Sequence, residues 1–221
     1  MRIISSLFLI VAISLVSCST PVLPVQESET SPVFSAPLIL QTYGIGKNPK
    51  NGQFQIAIPR ALGSLQPQDV QKNIRKTYTF LQFGPTATND TSFVVQVGLR
   101  GQVSLDVFKA FLLPWMVKDA EKVQRAPMHL IHASDIQLFG KPAVYDVYEQ
   151  TVTDHANALT GVKESFTYFH VVYYVDFGKY SALFWIQTNQ SDAQTAILDN
   201  HWPPIEEFVQ SLKIIPYQRA R

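Results

Sequence analysis

Phe166-Thr167-Tyr168-Phe169-His170-Val171-Val172-Tyr173-Tyr174-Val175, then Asp176-Phe177-Gly178-Lys179, then Tyr180-Ser181-Ala182-Leu183-Phe184-Trp185-Ile186-Gln187-Thr188 reads as two strands joined by a tight turn. Gly178 supplies the positive φ that such a turn needs. Side chains alternate between the faces of a strand, so Phe169, Val171, Tyr173 and Val175 share one side and Tyr168, His170, Val172 and Tyr174 the other. Both sides are largely apolar. A sheet with one face in water would alternate apolar with polar, so these strands need cover on both faces, which suits an antiparallel sheet between helical layers.

The flanking sequence supplies the rest of such a sheet. Leu38 to Tyr43 and Phe54 to Ile58 are strand-like, with Asn51-Gly52 marking the turn between them. Thr77 to Phe83 and Ser92 to Leu99 flank the breaker segment from Gly84-Pro85 to Asp90, and Met128 to Phe139 and Ala143 to Thr151 flank Gly140-Lys141-Pro142. Ser191 with Gln194 three residues on is a capping-box start for a final helical region. Pro203-Pro204 interrupts that region, after which Ile205, Phe208, Val209 and Leu212 form an i, i+3, i+4, i+7 stripe.

Ser104 caps a helix running toward Gln124, which Pro114 should kink or split because proline removes a donor and clashes with the preceding turn. On a regular helix Leu105, Phe108, Phe111, Leu112, Trp115 and Met116 fall on one face, which should lie on the sheet. Ala110, Leu113 and Val117 then fall opposite. Either a loop or the bend at Pro114 covers them, or they form a partner-binding patch on an outer helix.

The N-terminus carries a separate signal. After Arg2, Ile3 to Val16 is almost free of polar residues, yet too short and too weakly flanked to span a membrane, and it ends at Leu15-Val16-Ser17-Cys18. Cys18 is the single cysteine of 221 residues. The stretch resembles the lipobox of bacterial lipoproteins: a branched apolar residue three before the cysteine, a β-branched residue, a small residue, then the cysteine. The resemblance implies that residues 1–17 are a signal peptide and that Cys18, after cleavage before it, carries two or three acyl chains of the palmitate type. Two chains, at about 0.8 kcal/mol per buried CH₂, hold a protein on a bilayer persistently where one does not. Ser19 differs from the Asp that resembles the inner-membrane retention signal of enteric bacteria. The expected location is therefore the outer membrane, facing the periplasm, with the inner membrane or a Gram-positive surface as alternatives. Residues 18–37 hold Pro21, Pro24, Pro32 and Pro37 among Ser, Thr, Gln and Glu, a composition that cannot bury enough surface to order itself, so they read as a tether. One globular domain is expected over 38–217, with a short tail at 218–221.

Composition narrows the function classes. Lys and Arg number 18 and Asp and Glu 17; without Arg2 the two balance, so the chain has no long-range pull on nucleic acid. With Cys18 consumed by lipid, neither a disulfide nor a thiolate site remains.

Three segments carry a family resemblance. Gly52-Gln53-Phe54-Gln55-Ile56-Ala57-Ile58-Pro59 opens the domain, Leu138-Phe139-Gly140-Lys141-Pro142-Ala143 marks a hairpin, and Glu207-Phe208-Val209-Gln210-Ser211-Leu212 closes it. Together they resemble the PsbP/Mog1/DcrB-like fold, across nearly the whole domain. That resemblance implies an α+β chain in an α/β/α sandwich, with a central, mainly antiparallel sheet flanked by helices, and binding without catalysis. Arg60-Ala61-Leu62-Gly63 stands where the family often has a tryptophan.

No motif commits the chain to a reaction. His129 and His132, three apart, would diverge to opposite faces of a regular strand and spoil a two-His metal pair; no His-Glu-x-x-His or spare cysteine compensates, so no metal or cofactor is expected. His170 among aromatics reads as a hydrogen-bonded core residue. Asp146 and Glu149 likewise diverge, which leaves paired-carboxylate hydrolysis unsupported. Gly44-Ile45-Gly46-Lys47 lacks the spacer of a phosphate loop, Asp176-Phe177-Gly178 is a hairpin turn, and no Gly-x-Ser-x-Gly elbow occurs. The sequence thus points to a lipid-anchored, non-catalytic binding or assembly module of the bacterial cell envelope, held to the membrane through Cys18 and paired with an envelope protein it does not name. The alternative is an envelope hydrolase whose catalytic residues are dispersed in sequence.

Overall fold

A computed structural model describes residues 39–58, 71–83, 92–99, 104–156, 163–189, 191–198 and 203–218. Cys18, the signal peptide, the tether and residues 219–221 lie outside them. The described residues form a mostly antiparallel, sheet-rich fold with few helices. Seven strands make the main sheet: β3 (Gln71–Ile74), β4 (Tyr78–Phe83), β5 (Ser92–Leu99), β6 (Met128–Leu138), β7 (Lys141–Ala156), β8 (Lys163–Asp176) and β9 (Tyr180–Thr188). They lie in the order β3-β4-β5-β9-β8-β7-β6, every pair antiparallel. The hairpin at 166–188 is thereby central, with Val171 opposite Ile186 and Tyr173 opposite Phe184.

Both faces of that hairpin are covered, as its two apolar sides require. On one face Phe93, Val95, Val171, Phe184 and Ile186 pack with Ile197 of α3 (Ser191–Leu198) and Ile205, Phe208 and Val209 of α4 (Pro203–Gln210). Phe208 meets Phe83, Phe93 and Phe184 edge-on, at ring separations of 5.8, 5.1 and 6.0 Å. Each fully buried phenyl contributes roughly 1.5–3 kcal/mol. The same face receives a second sheet, ordered β1-β2-β10, from β1 (Ile39–Gly44), β2 (Gln53–Ile58) and β10 (Lys213–Ile215). The first hairpin of the chain therefore stands apart from the main sheet, buried through Tyr43, Phe54 and Ile56. Gly46 locks it there: its N–H donates to Thr79 Oγ1 at 3.0 Å, and with φ at 68° a Cβ would stand 2.6 Å from the Lys76 carbonyl oxygen.

The other face is covered by one long helical stretch. Ser104 accepts from the Val107 N–H and caps α1 (Leu105–Val107), which passes through a π-helical turn, Phe108–Leu112, into α2 (Leu113–Gln124). Pro114 thus neither breaks nor ends the helix. A regular turn would set its ring against the carbonyl of Ala110 four residues back, and the wider turn relieves that conflict, with the Leu113 N–H reaching Phe108 O instead. The insertion shifts the helical phase. Phe108, Leu113, Met116 and Ala120 meet the sheet, with Phe108 stacked on Tyr174 at 4.0 Å.

Candidate functional site

The main candidate is a cleft at the outer side of the main sheet, built by strand alternation and one helical turn. His132, Ser134, Ile136 and Leu138, two apart on β6, face the same way. Register then aligns Ser134 with Tyr145 on β7 and Tyr145 with Tyr173 on β8, a cross-strand row. Glu206, Val209 and Gln210 of α4 close the other wall, at i, i+3 and i+4 spacing. The resulting cleft is open and holds about 320 Å³, with Gln137 at its border.

Its chemistry is aromatic and hydrogen-bonding. The Tyr145 and Tyr173 rings lie 4.9 Å apart, and His132 tilts against Tyr145 at 5.5 Å. Burial pushes the Tyr145 hydroxyl above its ordinary pKa, and the Glu206 carboxylate adds to the rise. Tyr173 is raised further by burial, then by Tyr145 and Glu206. Both stay protonated at neutral pH and act as hydrogen-bond groups instead of nucleophiles. His132 Nε2 and Ser134 Oγ lie 3.2 Å apart, a hydrogen bond whose direction follows the histidine tautomer. In sequence alone His132 stands out only as half of a metal pair. The signal for the cleft was the alternation at 132, 134, 136 and 138, whose significance depends on which helix packs beside it.

The remaining candidates sit elsewhere. His170 is enclosed in the core: its Nδ1 accepts from Trp185 Nε1 at 3.1 Å, its Nε2 meets Gln150 Oε1 at 3.1 Å, and Gln150 Nε2 donates to Ala126 O at 2.8 Å. Burial lowers its pKa to about 3, so it is neutral, with Nε2 the donor. This is the core histidine the aromatic context indicated. Asp146 is buried under the helix, its carboxyl raised by burial and held back in part by the Tyr148 hydroxyl at 3.3 Å. Lys109 bridges from the helix to Asp135 on β6 at 2.6 Å, and that bond raises its pKa.

Two expectations need correction. His129 pairs with Glu149 and His132 with Val147, positions two apart on β7, so the two histidines share a side of β6. A bulge between Leu130 and His132 adds the residue that a regular strand lacks. Among the described residues, even so, no three His, Cys, Asp or Glu side chains gather as a metal site would require. Ala110, Leu113 and Val117 do not share an outward face. Leu113 is 4% exposed in the core and Val117 packs against that core, while Ala110 is exposed, because the π turn rotates the helix after it. Phe111 and Trp115, assigned to the sheet on a regular helix, are instead 70% and 38% exposed. No described helix is long and apolar enough to cross a membrane.

No protein-family model and no curated protein matches the chain. Several solved structures are similar to it. Cyanobacterial PsbP (CyanoP) from Synechocystis sp. PCC 6803 is 12% identical, with 84% of this chain and 98% of that chain covered and a TM-score of 0.47. The Pseudomonas aeruginosa protein PA94 is 16% identical, with coverage of 80% and 99% and a TM-score of 0.39. The Saccharomyces cerevisiae Ran-binding protein Mog1p is 10% identical, with coverage of 80% and 96% and a TM-score of 0.39.

Proposed function

We propose that this chain is a lipid-anchored, non-catalytic binding or assembly module of the bacterial cell envelope, an α/β/α sandwich of the PsbP/Mog1/DcrB-like kind with a small extra sheet in one layer. The observation that carries the reading is Leu15-Val16-Ser17-Cys18 at the end of an apolar leader, with Cys18 the chain's single cysteine. A thiolate is the natural nucleophile for thioether formation. The cleft supports binding: two protonated tyrosines, a carboxylate and two amides around an apolar wall suit the recognition of a small group. Replacing Cys18 by Ala should leave an uncleaved precursor that takes up no labelled palmitate. Equal labelling of the variant and the parent would end the reading.

One observation favours the second reading, an envelope hydrolase. His132 and Ser134 stand at hydrogen-bond distance in the same cleft as Glu206, which arrives from far along the sequence. A fluorophosphonate probe tests it directly. The binding-module reading expects no labelling of Ser134, whereas labelling that disappears in Ser134→Ala would establish the hydrolase.

A further inference from the structure

The outward side of the helix at 105–124 is unusual for a surface in water. Val107, Phe111 and Trp115 are exposed at 37, 70 and 38%, each four residues from the next. The π turn between them keeps that spacing in line, and Ala110 and Pro114 are exposed alongside. Beside the row stand Lys118 and Lys122, both exposed, the row itself runs on through Asp119 to the exposed Val123, and the exposed Arg125 ends the helix. Of the acids of the helix, Asp106 is exposed in the capped first turn, Asp119 is half-buried one turn after Trp115, and Glu121, also half-buried, accepts from the Met128 N–H on β6. Exposed Phe and Trp with long Lys and Arg side chains beside them can meet a bilayer interface, the rings at the acyl boundary and the cations reaching headgroup phosphates.

We infer that this helix docks on the membrane surface, through Phe111 and Trp115 with Lys118 and Lys122 beside them. The inference rests on the proposed lipid anchor, which keeps the bilayer at a high local concentration. The chain enters the fold at Ile39, in the layer across the main sheet from the helix. Residues 19–37, at about 3.1 Å each, reach on the order of 60 Å, and three layers spaced by about 10 Å are roughly 30 Å thick. The tether is therefore long enough for the helical face to turn to the membrane. A neutral chain gains no long-range attraction, so the lysines beside the row act only at contact, within a Debye length.

The full-length gene product, purified from membranes and seated in phosphatidylglycerol-containing vesicles, tests this. Trp115 emission is taken as the difference between the parent and Trp115→Phe, with and without doxyl-labelled lipid. Docking gives a loss of Trp115 emission on doxyl lipid, which is restored in Phe111→Ser and in the Lys118→Glu/Lys122→Glu pair at unchanged thermal midpoints. Vesicle-bound protein whose Trp115 is not quenched, or quenching that both variants retain, would overturn it; partner capture lost in the variants without quenching in the parent would assign the row to a protein. Should Phe111→Ser lower the midpoint, the lysine pair alone decides. Intact mass on the same sample reads the anchor separately. If Cys18 is unmodified the anchoring reading falls, and coupling that single cysteine to maleimide lipid still measures docking.

Discussion

Trp185, His170, Gln150 and the Ala126 carbonyl run as one hydrogen-bonded chain through the side of the sheet that the helix covers. The link from Trp185 depends on a neutral imidazole, since Nδ1 must accept, and the low pKa of His170, about 3 against an ordinary 6.5, gives a definite pH dependence. Above pH 6.5 neither folded nor unfolded chain carries this proton, and the contribution to stability is complete. As pH falls from 6.5 toward 3 only the unfolded chain takes it up, so stability drops by about 1.4 kcal/mol per pH unit from this group. Denaturant titrations at pH 6, 5 and 4 should approach that slope in the parent and show a shallower one in His170→Gln. The variant should also be less stable at pH 7 by about 1–3 kcal/mol, since it disturbs a satisfied buried chain. Identical slopes in both proteins would mean that His170 is not the group responsible. The role of His170 was legible because aromatics surround it in sequence, whereas its partners Gln150 and Trp185 are fixed by register, which sequence does not display.

The helix at 105–124 shows how one irregular turn redistributes an element's residues. With a π turn at Phe108–Leu112, Leu113 faces the sheet and Phe111 faces out. Leu113→Ala should therefore cost about 2–5 kcal/mol, the range for a core leucine, while Phe111→Ala should stay within about 0.5 kcal/mol. Thermal or urea unfolding of the two variants checks the phase, and the reverse order would restore a regular helix. Amphipathic spacing made the helix itself legible, and Pro114 marked where it would be irregular. Spacing could not say whether the chain would meet the proline with a kink or with a wider turn, and the two outcomes place different residues outward. The bulge beside Ile131 did the same to His129 and His132. Strands β3 and β10 are not legible for a different reason: Gln71-Lys72-Asn73-Ile74 and Lys213-Ile214-Ile215 are short edge strands, with too little periodicity to read.

At the scale of the molecule, the central hairpin at 166–188 disclosed the layered arrangement because its two apolar faces need two covers. That one cover includes the sheet β1-β2-β10 was not legible, since it depends on β10 returning to β2 from the far end of the chain. The cleft was hidden for the same reason, as its walls come from β6, β7, β8 and α4 and meet only in three dimensions. Limited proteolysis should trim the chain to a stable core beginning near residue 38, because the preceding Pro-, Ser- and Thr-rich composition has little to bury. Protection of residues 19–37 equal to that of the hairpin would show that they pack on the domain. Lipid anchoring is tested most directly by intact mass spectrometry of the protein taken from membrane fractions. The expected species begins at Cys18 and exceeds the mass of residues 18–221 by its acyl chains; a membrane-bound species with residue 18 unmodified would contradict the anchor and the envelope role built on it.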